Sequence, residues 1–358
     1  MAVASSIGNP VSFFYQIPTQ LQAATSPIQQ LPVNQSYIVK QCKDTLLLHC
    51  MQSLALPEAE RFAFEPPVKI AVLRLFGSEL SWAGLCKVLQ LCAVDSALAC
   101  RLYQPHPELN AAVEITLPAL LTEVQLQQLN ALAVASDIEL VYLADTPVLT
   151  KPGLLVMDMD STAIQIECID EIAKLAGVGE QVAGVTARAM NGELDFAQSL
   201  IARVGTLQGA DEDILRQVLS AVPLMPGLTE LVSHLKAHQW QVAIASGGFT
   251  YFTEALKQQL GLTATFANVL EIADGKLTGK VLGDIVDANT KARVVNELAG
   301  QHAIAAGQTV AIGDGANDIP MLKAAALGVA FHAKPAVQAQ AKAAIRQGSL
   351  LQLLYLLD

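Results

Sequence analysis

Asp158 and Asp160 stand one residue apart at the end of the apolar run 154–157, with Ser161 and Thr162 directly after them. Two later apolar runs end the same way. Residues 241–245 lead into Ser246-Gly247-Gly248, and residues 309–313 lead into Asp314-Gly315-Ala316-Asn317-Asp318. Carboxylates gathered at one point repel each other, so such a site calls for a cation. Oxygen donors without His or Cys select a hard ion, and a few carboxylates plus waters suit Mg²⁺. A phosphate-bearing substrate would complete its coordination, and Lys291 would supply the positive charge that a transferring phosphoryl group needs. Singly, these residues have plainer uses: an Asp at a strand end caps a helix or closes an Asx turn, Thr162 caps or buttresses, and a helix lysine is solvated. D-x-D-x-T alone leaves roughly 0.05 chance matches in a chain of this length. The reading rests on the joint occurrence, in this order, of polar groups where strands end.

The elements that position them follow from the same runs. Residues 154–158, 241–246 and 309–314 read as strands separated by helical stretches, the pattern of a parallel sheet in a doubly wound α/β domain. Ligands of such sheets bind beyond the carboxyl ends of the strands, the edge that Asp158, Ser246 and Asp314 share. Some eighty residues separate the first two strands, too many for one crossover helix, so residues 165–224 form an inserted helical cap. A cap excludes water and selects substrates. Glu167, Met190, Phe196 and Arg203 stand out within it, the last two sharing a helix face by their spacing. A carboxylate and a guanidinium facing a phosphate site would match the ammonium and carboxylate of an amino acid. Against this, Met190 and Phe196 also suit cap core, Glu171 suits a solvated face, and Arg203 could pair with Glu193 or Asp195.

Upstream, residues 68–77, 97–104, 111–118 and 138–143 read as strands, and 82–93 and 121–136 as helices. That β-α-β-β-α-β order is ferredoxin-like and resembles the ACT-like domains. Its span is 68–145, and the Pro- and Gly-bearing stretch 145–153 is the linker. Residues 1–67 form a partly irregular N-terminal segment. Its first 39 residues carry no charge, and the stretch from there to about Arg61 reads as helical.

The strand-end pattern, with the downstream lysine and G-D-G-x-N-D, resembles the haloacid dehalogenase-like phosphohydrolases over residues 152–358. The resemblance implies an α/β fold, a doubly wound parallel sheet with an inserted helical cap, here joined to an N-terminal α+β domain. It implies Asp158 as nucleophile forming an aspartyl-phosphate, Asp160 as general acid and base, and Mg²⁺ held by Asp158, the Asp160 backbone carbonyl and Asp314. Ser246 and the Gly247 amide would hold phosphoryl oxygens, with Lys291 beside them; Asn317 and Asp318 would orient the lysine, the metal waters or the phosphate. The cap motifs resemble the phosphoserine-cleaving branch of that family, which implies Glu167 on the substrate amine, Arg203 on its carboxylate, and Phe196 and Met190 sealing the pocket. Related phosphorylated amino acids, other small phosphometabolites, and an aspartyl-phosphate signalling switch stay open as alternatives.

Composition bounds the partners. The chain has 358 residues, is 52% hydrophobic, and carries 22 basic against 33 acidic residues, a formal charge of −11. That balance argues against nucleic acid or an anionic membrane surface. The six cysteines form no C-x-x-C pair and read as buried thiols of a cytoplasmic protein. No basic leader and no long uninterrupted apolar run are present, so no membrane association is expected. A small-molecule substrate is the expected partner, and a homodimer through the N-terminal domain is an open arrangement.

Overall fold

A computed structural model of the chain describes residues 14–18, 28, 33–42, 45–50, 69–78, 80–92 and 98–358. It divides into two units, Met1–Asp145 with Leu354–Leu356, and Thr146–Leu353 with Leu357–Asp358.

The first unit contains β1 (Phe14–Pro18), β2 (Gln35–Cys42), β3 (Thr45–Cys50), β4 (Ala71–Phe76), α1 (Trp82–Leu91), β5 (Leu98–Tyr103), β6 (Ala112–Leu117), α2 (Glu123–Ala135) and β7 (Glu139–Leu143). The strands form one antiparallel sheet in the order β1-β3-β2-β5-β6-β4-β7. Residues 40–50 depart from the helical expectation: β2 and β3 pair as a hairpin in which Cys42 faces Thr45. A short aliphatic run cannot by itself be told from a buried helix. Pairing of Tyr37 with Cys100 on β5, 63 residues away in sequence, favours the pleated form. Residues 51–61 of that expectation lie outside the described residues. Ser81 caps α1 by accepting from Gly84 N–H, and Thr122 with Gln125 forms a capping box on α2. Leu73, Leu75, Val113 and Ile115 of the sheet pack with Leu85, Val88 and Leu129 of the helices. The segment Leu354–Leu356 completes this unit. The Tyr355 ring stacks on Phe76 at 4.5 Å, and its carbonyl accepts from Tyr103 Oη at 2.8 Å and from the buried Arg74 at 3.1 Å.

The second unit contains β8 (Leu154–Met157), α3 (Cys168–Leu175), α4 (Gly179–Met190), α5 (Phe196–Thr206), α6 (Asp213–Ala221), α7 (Leu228–Ala237), β9 (Gln241–Phe249), α8 (Thr250–Leu260), β10 (Ala264–Ala273), β11 (Lys276–Leu282), α9 (Ala288–Gln301), β12 (Thr309–Gly313), α10 (Ile319–Ala324), β13 (Leu327–Phe331), α11 (Pro335–Gln338) and β14 (Ala343–Ile345). Its sheet order is β11-β10-β9-β8-β12-β13-β14, parallel except for the terminal β10–β11 hairpin. Every residue of β8, β12 and β13 is buried, as strands covered on both faces by crossover helices must be. The chain runs outward from β8 to β10 and returns to β12 on the other side of β8. Strand order therefore reverses between β8 and β12, where such sheets open a crevice at their carboxyl ends.

Helices α3 to α6 lie between Ile164 and Leu224, which pair with each other and close the insertion at its base. The hairpin β10–β11 binds the same insertion: Gly209 N–H donates to the Leu277 carbonyl at 2.8 Å, Leu277 N–H to Ala210 at 2.9 Å, and Glu212 N–H to Gly275 at 3.0 Å. This hairpin is mostly half-buried or exposed along its length, and no strand reading of the sequence anticipates it. Among the described residues no helix is long and apolar enough to cross a membrane.

Candidate active site

Asp158 directly follows β8, and its N–H donates to the Ile312 carbonyl of β12 at 3.0 Å, so the sheet itself fixes its backbone. The chain then coils through Met159–Ala163 with Ser161 at φ 55°, a left-handed conformation that a non-glycine residue adopts rarely. That turn places Asp160 beneath α3, where its Oδ1 accepts from Cys168 N–H at 3.2 Å. Ser161 Oγ donates to Glu167 Oε1 at 2.7 Å, and Thr162 Oγ1 donates to Asp314 Oδ1 at 3.1 Å. Thr162 is thus a buttress that ties the first strand end to the third.

Lys291, on α9, is fully buried, and its Nζ lies 2.8 Å from Asp158 Oδ1 and 2.8 Å from Asp318 Oδ1. The other Asp318 oxygen accepts from Gly315 N–H at 3.0 Å, so both of its oxygens are engaged. This fits an orienting role for Asp318. Oxygens of Asp158, Asp314 and Asp318 lie within 4.8 Å of one another. Three carboxylates against one lysine leave a negative excess, and an all-oxygen donor set suits a hard divalent cation.

The second strand end forms a tight cradle. Ser246 Oγ accepts from Gly248 N–H at 2.9 Å. A Cβ on Gly247 would meet the Phe196 ring at 2.6 Å, and one on Gly248 would come within 3.0 Å of Asp160 Oδ2. Only glycine lets the backbone approach both groups this closely. Asn268, which no sequence motif singled out, is buried on β10 and donates from Nδ2 to the Gly247 carbonyl at 2.8 Å.

Asp158, Asp160, Glu167, Phe196, Arg203, Ser246, Gly247, Asp314 and Asn317 line one cavity of about 530 Å³, part of it open to solvent. Ile169, Leu200, Gly248, Phe249 and Gly315 complete its wall. Arg203, half-buried on α5, has a buried Nε with no hydrogen-bond partner, and no ion pair among the described residues engages its guanidinium. Its anticipated partners are occupied elsewhere: Glu193 pairs with Arg188, and Asp195 caps α5 by accepting from Gln198 N–H. Glu171 pairs with Lys174 on the exposed side of α3. Met190 is not brought to the cavity. It ends α4 with 71% exposure. The buried residue of that helix is Val182, and eight residues at about 100° each put Met190 about 80° around the helix from it.

Burial dominates the electrostatics. It pushes the Asp160 carboxyl up to about 7, with the Glu167 charge adding to the rise and the Cys168 N–H opposing it. Asp314 rises to about 6 through burial and the Asp318 charge. Burial and Asp318 also raise Asp158, against the lowering pull of Lys291. For Lys291, burial favours the neutral amine, but the Asp158 and Asp318 charges outweigh it and hold the ammonium form. Asp160 is therefore suited to carry a proton near neutrality, beside Asp158, whose ionised form the Lys291 ammonium favours against burial and the Asp318 charge.

A family model described as haloacid dehalogenase-like hydrolase matches residues 153–326. A phosphoserine phosphatase of Vibrio cholerae is 60% identical over 216 residues, 60% of this chain and 66% of that protein. The chain thus spans just under two thirds of this relative's length. A phosphoserine phosphatase of Idiomarina loihiensis is 53% identical over 202 residues, 56% of this chain and 92% of that protein. A crystal structure of a probable phosphoserine phosphatase from Vibrio cholerae, in unliganded form, superposes with a TM-score of 0.69 at 47% identity, covering 84% of this chain and 90% of the other.

Proposed function

The chain belongs to the haloacid dehalogenase-like hydrolases, and we propose that within this family it hydrolyses O-phosphoserine to serine and phosphate. The observation that carries the substrate assignment is Arg203: its guanidinium, which takes part in no ion pair among the described residues, lines the same cavity as Asp158, Asp160 and Glu167, where a carboxylate would pair with it. A phosphorylated amino acid would present its carboxylate to Arg203, its ammonium to Glu167 and its phosphate to Ser246 and the Gly247 amide. Phe196, packed on Gly247, would close the wall beside the phosphate.

Two displacements would complete the reaction. Asp158 attacks phosphorus, the bond from phosphorus to the serine oxygen breaks, and Asp160 gives its proton to that oxygen. Asp160, now a base, takes a proton from water as the water oxygen attacks phosphorus. The acyl-phosphate bond then breaks, releasing phosphate and restoring Asp158. Lys291 stabilises the charge spread over the phosphoryl oxygens and favours the ionised form of Asp158, against burial and the Asp318 charge. Asp158, Asp314 and the Asp160 carbonyl would hold Mg²⁺, which when bound neutralises carboxylate and phosphoryl charge. Asn317 and Asp318 orient the groups around it. Residues 68–145 would form an ACT-like module.

The test is phosphate release from phosphoserine, phosphothreonine and p-nitrophenyl phosphate, with Mg²⁺ and with EDTA. Metal-dependent preference for phosphoserine supports the reading. Equal turnover of all three would leave a general phosphatase and overturn the amino-acid pocket.

A further inference from the structure

We infer that Asn268 is a positioning residue that sets the phosphate cradle and the lysine helix in register. The inference rests on the phosphatase reading above. Asn268 is 1% exposed, and all three of its side-chain hydrogen bonds go to backbone. Nδ2 donates to the carbonyls of Gly247 at 2.8 Å and Gly248 at 3.3 Å, while Oδ1 accepts from Val286 N–H at 2.9 Å. Val286 immediately precedes Asp287, the residue that caps α9 by accepting from Thr290 N–H at 2.8 Å. One turn further on, α9 carries Lys291 to Asp158. A single amide thus joins the strand end that would hold phosphoryl oxygens to the helix that delivers the phosphate's counter-charge.

The chemistry of an amide suits this place. Its two N–H groups satisfy two carbonyls of adjacent residues, and its oxygen satisfies an amide of the opposite segment. With those carbonyls held, the Gly247 N–H and Ser246 Oγ keep their orientation toward the cavity. The register of β10 against β9 shifts between Phe266 and Asn268, where Asn268 comes opposite Phe249. Such an irregularity is a common device for re-aiming one side chain. Asn268 touches no reacting atom, and its influence passes through the loop and the helix.

The experiment compares wild type, Asn268→Asp, Asn268→Ser and Val286→Ala for kcat and KM on phosphoserine, inhibition by orthovanadate, inhibition by L-serine, and melting temperature. Asn268→Asp keeps the shape and the acceptor for Val286 but turns both donors into acceptors facing carbonyls. A positioning role predicts that kcat and vanadate affinity fall by about 10- to 100-fold, the range found when a supporting hydrogen bond is removed from a site. L-serine inhibition, which reads the cap residues, should change less than about twofold, and Asn268→Ser, with one donor left, should lie between. Inhibition constants do not depend on the fraction of folded protein. Val286→Ala keeps the backbone donor, so it should lower the melting temperature while leaving those constants unchanged. Wild-type constants in Asn268→Asp, or in Asn268→Ser should the first variant fail to fold, would overturn the inference. Absence of phosphoserine hydrolysis by wild type would instead overturn the underlying function.

Discussion

Replacing Arg203 by Ala tests the substrate pocket with a magnitude that the structure constrains. Arg203 is half-buried, its Nε is already desolvated, and no ion pair among the described residues engages its guanidinium. A bound carboxylate would receive two charge-assisted hydrogen bonds of about 1.5–3 kcal/mol each. Truncation to Ala admits water that solvates the carboxylate in part, so the lower end of the sum applies, about 3 kcal/mol. At about 1.4 kcal/mol per tenfold, that is a loss of about 100-fold in kcat/KM for phosphoserine. Arg203→Lys, which keeps the charge but loses the planar fork, should fall between. The internal control is p-nitrophenyl phosphate, which carries no carboxylate and should lose less than about threefold. Thermal unfolding supplies a second check. Because Arg203 has no partner to lose, Arg203→Ala should not lower the melting temperature. An equal fall on both substrates, or a marked destabilisation, would show Arg203 to be a structural residue of the cap and refute the reasoning.

Other perturbations have equally definite outcomes. Lys291→Met leaves Asp158 and Asp318 buried without their cation; it should abolish turnover and destabilise by about 3–5 kcal/mol, and Mg²⁺ should raise its melting temperature more than that of wild type. Gly247→Ala drives a methyl into the Phe196 ring, so activity should drop, and Phe196→Ala in the same chain should restore part of it, a non-additivity that a double-mutant cycle measures. Gly153→Ala places a carbon about 2.5 Å from the Trp240 indole; it should destabilise by about 1–3 kcal/mol, shifting the denaturation midpoint while leaving KM unchanged.

How much of this was legible in the sequence follows from the range over which each signal acts. Asp158, Ser246 and Asp314 could be placed because strands buried on both faces must be continuously apolar, so a polar residue at the end of such a run is conspicuous. The cap was legible from length alone. The β2–β3 hairpin was not, since three consecutive leucines carry no period and the outcome depends on pairing with β5. Asn268 was hidden for a related reason: its partners lie about twenty residues away on either side, and nothing local marks an asparagine in a half-exposed strand as a cross-brace. Met190 shows the opposite limit. Its motif predicted a pocket wall, but its angular position on α4 turns it outward.

The short segment Leu354–Leu356 has a consequence for how the protein is made. Phe76, Arg74 and Tyr103 precede the enzyme core in the chain, whereas Tyr355, which packs with them, follows it. Domains generally fold as units during synthesis, N-terminal first. Here the earlier unit must wait, with an aromatic face and a buried guanidinium's hydrogen bond unfulfilled, until the whole enzyme core has emerged. Cleavage in the linker would therefore release a fragment lacking a piece of its own interior, and loss of residues 354–356 would injure the first unit rather than the second. Genetic separation of the two units requires residues 354–356 to travel with the first.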